Sequence, residues 1–420
     1  MGIDENTYDL VISAHNDVTK YFEAIEHLAE YHQVRLLDAM NKCQISGRHF
    51  APTSGYGYGD EGRDMLDRLF ASVFGGQDAI VRVQWASATH ALNDCMFAML
   101  RPGEAMLSIT GKPYDTLDKT IGSDNNSACG SLKDWGIGYY QTDLTLDGNI
   151  DLTKVAAFLD VEKIKLILIQ RSGGYSRRPS ITIEKMKDAI HFIRLKRPDI
   201  CVLVDNCYGE FTETTEPCHA GADLAVGSLI KNPGGGLAPT GAYAVGTKQA
   251  IERLSYTFTT PGLGKDIGSY AASYTPFYQG LFLAPHVVSQ AVKGAILTAK
   301  VFGSLGFKVF PIPQDKRSDI IQSIEFNSAD ELIAFCQAIQ AASPVDSHVV
   351  PYPWDMPGYS HKVIMAAGTF MQGASIELSA DAPIKDPYIA FMQGGLTYAH
   401  VKIALIRVIQ SLKRQGFINI

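Results

Sequence analysis

Residues 200–211, ICVLVDNCYGEF, carry the reading of the fold. An apolar run from Ile200 to Val204 stops on Asp205, and a small polar loop follows. A continuous Val/Ile/Leu run marks a strand covered on both faces, as in a parallel sheet between helices. The segment ADLAVGSLIKNPGGG (222–236) repeats the pattern, with Ser228 and Lys231 at the end of its strand. Further out, AIVRVQW (79–85), AMLSIT (105–110), KIKLILIQ (163–170) and GAYAVG (241–246) also read as strands. Between them, TIEKMKDAIHFIRLKRP (182–198) reads as a helix ended by Pro198. The alternation predicts an α/β fold around a mostly parallel central sheet flanked by helices.

Residues 1–50 read as amphipathic helices and 46–62 as a Gly-rich aromatic loop, and a helical pattern returns from Asp64 to Phe74. Residues 266–304 read as long helices. From about 305 the order changes. A strand, the helix SADELIAFCQAIQAA (328–342), strands at KVIMAAG (362–368) and GASIELS (373–379), and a last helix at 397–413 form an α+β pattern. The expected domains are a helical segment 1–50, a large α/β domain 51–304 and a small α+β domain 305–420.

The chain has 420 residues, 46% of them apolar, a net charge of -7 and no basic patch or tail, which argues against nucleic acid as a partner. Its seven cysteines are odd in number and form no C-x-x-C pair, so a disulfide framework is not expected. The eleven histidines are dispersed, and no metal site is expected. The first ten residues have no apolar core of the secretory kind, no run looks long enough to span a membrane, and a cytoplasmic location is expected. Gly57-x-Gly59-x-x-Gly62 matches the dinucleotide fingerprint in letters only. No strand precedes it, so the glycines read as a loop that lets backbone approach an active site.

Ligands of open α/β sheets sit at the carboxyl ends of strands. Alone, Asp205 reads more readily as a helix cap or structural ligand, and Lys231 as a strand-end charge. Together, 26 residues apart, they fit the pair that pyridoxal 5'-phosphate (PLP) requires. That pair is an imine-forming amine, its pKa lowered by burial, and a carboxylate for the ring nitrogen. A phosphate cradle is available where Ala86, Ser87, Ala88 and Thr89 follow a strand and open a helix. Ser228 adds a hydroxyl, and Tyr114, just after another strand, offers a ring to stack on the pyridine.

The phrases SGYGYGDEGRD (54–64), GKPYDTL (111–117), SLIKNPGGG (228–236), GASIELSADAP (373–383) and FMQGGLTYAH (391–400) extend the match over nearly the whole chain. The order of elements resembles fold-type I PLP-dependent enzymes. Within them it resembles the cystathionine and methionine lyases, and most of all the methionine gamma-lyase-like or aluminium resistance proteins. The resemblance implies a carbon–sulfur lyase that acts on a sulfur-containing amino acid and releases thiol, ammonia and a keto acid. It makes Lys231 and Tyr114 catalytic, pairs Asp205 with the ring nitrogen, and places Ser87, Ala88, Thr89 and Ser228 around the phosphate; His90, next to this cradle, reads equally as facing the cofactor or as a helix-surface histidine. It also implies a homodimer or homotetramer with active sites at the dimer interface, with the N-terminal helices and the 53–63 loop as the candidates for reaching across.

Two departures bear on the substrate. The Tyr-x-Arg pair that these lyases lend to a neighbouring subunit is absent at that spacing; Tyr56, Tyr58 and Arg63 occupy the region, and the two tyrosines become candidates for substrate contact. The C-terminal arginine that grips substrate carboxylate is also missing, and Gln372 stands in the comparable stretch. Arg171 or Arg178, or Lys385, is then expected to bind the carboxylate; for each arginine a plain surface charge is the other reading. An aminotransferase and a non-catalytic PLP-binding stress protein are the rival functions.

Overall fold

The computed structural model describes residues 4–123, 129–176, 178–356 and 359–420. Seven strands build a large sheet: β1 (Asp78–Arg82), β2 (Ala105–Ser108), β3 (Gly138–Gln141), β4 (Ile164–Gln170), β5 (Cys201–Asp205), β6 (Leu224–Ser228) and β7 (Ala242–Gly246). Their order is β1-β7-β6-β5-β4-β2-β3, and only the pairings of β7 are antiparallel. The mostly parallel sheet expected from the apolar runs is therefore present. Its central strands are buried almost throughout because both faces are covered. Helices Ala88–Met99 and Lys248–Phe258 share a core with one face, and helices Leu152–Leu159 and Ile183–Lys196 with the other.

A second sheet is antiparallel throughout: β8 (Lys308–Phe310), β9 (Ile321–Phe326), β10 (Val363–Ala366), β11 (Ser379–Pro383) and β12 (Tyr388–Gln393), in the order β10-β11-β12-β9-β8. Helix Thr275–Ser304 packs against this sheet, against the N-terminal helices Glu5–Val18 and Phe22–Lys42, and against the turn 232–234. It is long and apolar enough to cross a membrane, but most of it is buried in the protein core. Its approach explains the glycines after Lys231. Gly235 has φ +53°, and a Cβ there would lie 2.3 Å from the carbonyl oxygen of Gly280.

Two local expectations need correction. Residues 266–274 are irregular, and the helix starts at Thr275. The buried Arg63 guanidinium takes the carbonyls of Gly57, Asp266 and Gly268 at 2.9, 3.2 and 3.4 Å, so this stretch turns its carbonyls toward a side chain rather than a helical ladder. Residues 373–378 are turns instead of strand. The Glu377 carboxylate accepts the N–H groups of Phe370 and Met371 at 2.9 and 3.0 Å, and the strand begins only at Ser379. Among the described residues the Gly-rich loop 51–60 does not line the cavity described below, and Tyr56 and Tyr58 are 70% and 64% exposed.

Candidate active site

The carboxyl ends of β4, β5 and β6 open into a cavity of about 560 Å³, closed on its far side by the small sheet. Asp205 ends β5 and is buried. Its register partner on β4 is Gln170, which lines the same cavity. The Asp205 carboxyl accepts the Cys207 N–H at 3.1 Å. Burial pushes this carboxyl up, against the pull of Lys231 and Arg178, so it would gain from a cationic partner.

Lys231 follows β6 through a turn in which its N–H meets the Ser228 carbonyl at 3.3 Å. Its Nζ lies 4.1 Å from the ring centre of Tyr208. Tyr208 itself holds a left-handed backbone (φ 72°), a strained conformation of the kind that collects at ligand sites. Burial lowers the amine, as expected, while the acidic groups packed around it, Cys207, Tyr208, Asp205 and Tyr114, act the other way and raise it.

Ala86, Ser87, Ala88 and Thr89 line the cavity where helix Ala88–Met99 begins, and Ser87 caps that helix by accepting the His90 N–H at 3.1 Å. Ser228 lines it from β6. Tyr114 sits beside the cradle, its hydroxyl 2.8 Å from the Thr89 hydroxyl, and its N–H donates to Gln170 Oε1 at 2.9 Å. Burial, then the Asp205 carboxyl, raises the Tyr114 phenol, so it stays protonated at neutral pH.

This set fits PLP. A small-residue helix start suits a phosphate, a buried carboxyl with one backbone donor suits a protonated ring nitrogen, and an amine faces it from the next strand.

Other expected residues lie elsewhere. Arg171 is fully buried and turned away from the cavity; Asn206 Oδ1, Glu213 Oε1 and Glu216 Oε2 hold its guanidinium at 2.8, 3.0 and 3.6 Å. Arg178 is spent on the carbonyls of Ser172 and Gln170, at 2.5 and 2.8 Å, and does not line the cavity. His90 points outward, 3.7 Å from Asp94. Tyr56 and Tyr58 pack on each other at 5.7 Å in the exposed loop. Gln372 and Lys385 do line the cavity.

Sequence reading missed Gln170, Tyr175, Tyr208, Asp381 and Gln393, all of which line the cavity. Gln170 had a signal, since it is the polar residue that ends a buried strand. Asp381 lay within the phrase GASIELSADAP, but SADAP carries no strand pattern that would place it.

Residues 7–413 match the family model described as methionine gamma-lyase. A Clostridium novyi NT structure, described as a carbon-sulfur lyase involved in aluminum resistance, superposes with a TM-score of 0.94 at 49% identity, over 98% of this chain and 96% of that one. The uncharacterized Bacillus subtilis protein YnbB is 53% identical over 402 residues, 96% of this chain and 95% of its own. A PLP-dependent protein from Escherichia coli, YhfS, shares the fold at 18% identity and a TM-score of 0.61, over 92% of this chain and 97% of that one. With a fold-type I architecture and a family match across nearly its whole length, the chain belongs to the methionine gamma-lyase family.

Proposed function

We propose that the protein is a PLP-dependent carbon–sulfur lyase acting on a sulfur-containing amino acid. The convergence of Asp205 and Lys231 at one cavity, from adjacent strand ends, carries this reading. The family match and the Clostridium novyi relative support the lyase class. Bound PLP supplies a ring that stabilises negative charge at the substrate's α-carbon.

Asp205 would keep the ring nitrogen protonated, and Ser87, Thr89 and Ser228 would bind the phosphate with the N–H groups of the helix start. Lys231 Nζ would anchor the cofactor and then carry the α-proton. The Tyr114 hydroxyl, still protonated, would donate to the departing sulfur. Lys385, exposed on the cavity wall, is the cation we assign to the substrate carboxylate in place of the two arginines. The test is release of thiol, ammonia and keto acid from L-cystathionine or L-methionine. Build-up of pyridoxamine phosphate without thiol would replace the lyase reading by an aminotransferase.

Two expected outcomes follow from these roles. Tyr114→Phe should lower kcat on the order of 10²-fold at nearly constant KM; an unchanged kcat would reduce Tyr114 to a packing residue. The exposed 51–60 loop we assign to a partner's site in a homodimer. Replacing Tyr56 and Tyr58 together by Ala should then weaken PLP binding about tenfold, the worth of one hydrogen bond to a charged phosphate. Equilibrium dialysis gives that affinity and sedimentation the assembly state; unchanged affinity in a dimer would remove the loop from the site.

A further inference from the structure

The far wall of the cavity carries a carboxyl that the proposed chemistry does not use. Asp381 lies on β11, 8% exposed, and lines the same cavity as Lys231. Gln393 on β12 donates to its Oδ2 at 3.1 Å. Among the described residues no cation forms an ion pair with it. Burial pushes its carboxyl up to about 6. An unpaired carboxylate in such a place costs free energy until a cation arrives.

The surroundings suit a small cation. Tyr175 and Tyr359 line the same wall, their ring centres 5.9 Å apart, and Tyr175 packs on Phe391 at 5.2 Å. Tyr175 also hydrogen-bonds the Asp381 carboxyl through its hydroxyl, and the open side of the cavity leaves room for an ammonium to join them. Lys231 also acts on Asp381, but weakly, after burial and the two hydrogen-bonding neighbours. Among the described residues the carboxyl has no dedicated cation, and a positive group on the substrate would supply one.

We propose that Asp381 is a specificity determinant that selects amino acids whose side chain ends in an ammonium group. This deepens the lyase reading and rests on it for the position of the α-amino group, near Lys231. The substrate would lie across the cavity, its α-carbon at the large sheet and its distal ammonium between Asp381 and the two tyrosines. A purely apolar tail, such as a thioether methyl, would leave the carboxyl unmatched.

The test uses the PLP-loaded protein at pH about 8, above the Asp381 midpoint of about 6. L-Lysine and L-2-aminoheptanoate have side chains of equal length that end in ammonium and methyl, and neither contains sulfur to eliminate. Calorimetry should show L-lysine bound about tenfold more tightly or better, the worth of a hydrogen bond between charged groups. Asp381→Asn, which keeps the shape and an oxygen for Gln393, should remove the preference and leave L-2-aminoheptanoate unchanged. Equal binding of the two by the wild type, or a preference that survives in Asp381→Asn, would overturn the proposal. Thiol release from S-(2-aminoethyl)-L-cysteine and S-propyl-L-cysteine separates the two readings. Equal release from both discards the ammonium preference and keeps the lyase. Release from neither, with the binding preference intact, discards the lyase and keeps the site.

Discussion

Lys231→Ala is expected to lower thiol release on the order of 10²–10⁴-fold, the span of a lost general acid–base group. Borohydride reduction of the wild type with PLP should fix a pyridoxyl group on the Lys231 peptide, and the variant should give none. The structure makes this a sharp expectation because other lysines are close. Lys112 and Lys385 also line the cavity. Lys112, however, is paired with Asp118 at 2.9 Å, and Lys385 is exposed at the wall. Neither follows the strand next to Asp205, whereas Lys231 does, with Asp205 acting on it directly. The substitution removes a charge from a crowded polar site and should leave the fold intact, so added PLP should still bind without being fixed. Turnover within tenfold of the wild type, or an adduct on Lys112 or Lys385, would refute the assignment of Lys231.

The legible part of this site and the hidden part differ for a physical reason. Asp205 and Lys231 could be read because a buried strand must be apolar, so the residue at which the run stops marks the carboxyl edge of the sheet. The central strands β4, β5 and β6 were readable on the same ground. β3 escaped notice, being short and only partly buried, and β11 did too, since SADAP is held as a strand by its pairings to β10 and β12 rather than by propensity. A strand end gives position, not direction. Successive side chains point to opposite faces, so at the end of β4 one of two neighbours must miss the cavity. Gln170 enters it and Arg171 does not. Sequence reading chose the arginine for its chemistry and so chose the wrong face. Asp381, on the wall across the cavity, comes 150 positions after Lys231, and no local pattern placed the two opposite each other.

Arg171→Ala tests that correction, and its expected effect is on stability rather than on substrate. The Arg171 guanidinium is fully buried between Asn206, Glu213 and Glu216, all in the segment that leaves β5 after Asp205. Glu213 also accepts the Ile183 N–H at 2.9 Å, and Glu216 accepts the Phe211 N–H at 2.9 Å, so the network ties this segment to the start of helix Ile183–Lys196. The backbone is built around it, since a Cβ at Gly209 would lie 2.5 Å from the Arg171 side chain. Removing the cation strands the buried Glu216 carboxylate and leaves Glu213 with Lys316 alone, at 3.2 Å; breaking a buried pair in this way costs about 3–5 kcal/mol. Burial already pushes Glu216 up, with Arg171 the main opposing influence, so the variant should take up a proton there and lose less stability at low pH than at neutral pH. The sign follows from linkage. With Arg171 gone the folded-state pKa of Glu216 rises further above its unfolded value, so below that value the carboxyl is neutral in both states and its penalty disappears. Urea unfolding followed by circular dichroism would measure the loss, and steady-state kinetics on the folded fraction would measure KM. A large fall in the urea midpoint with KM unchanged is the expected result. A raised KM with undiminished stability would return Arg171 to the substrate and require a second arrangement of the β4 end, in which its side chain and that of Gln170 exchange faces.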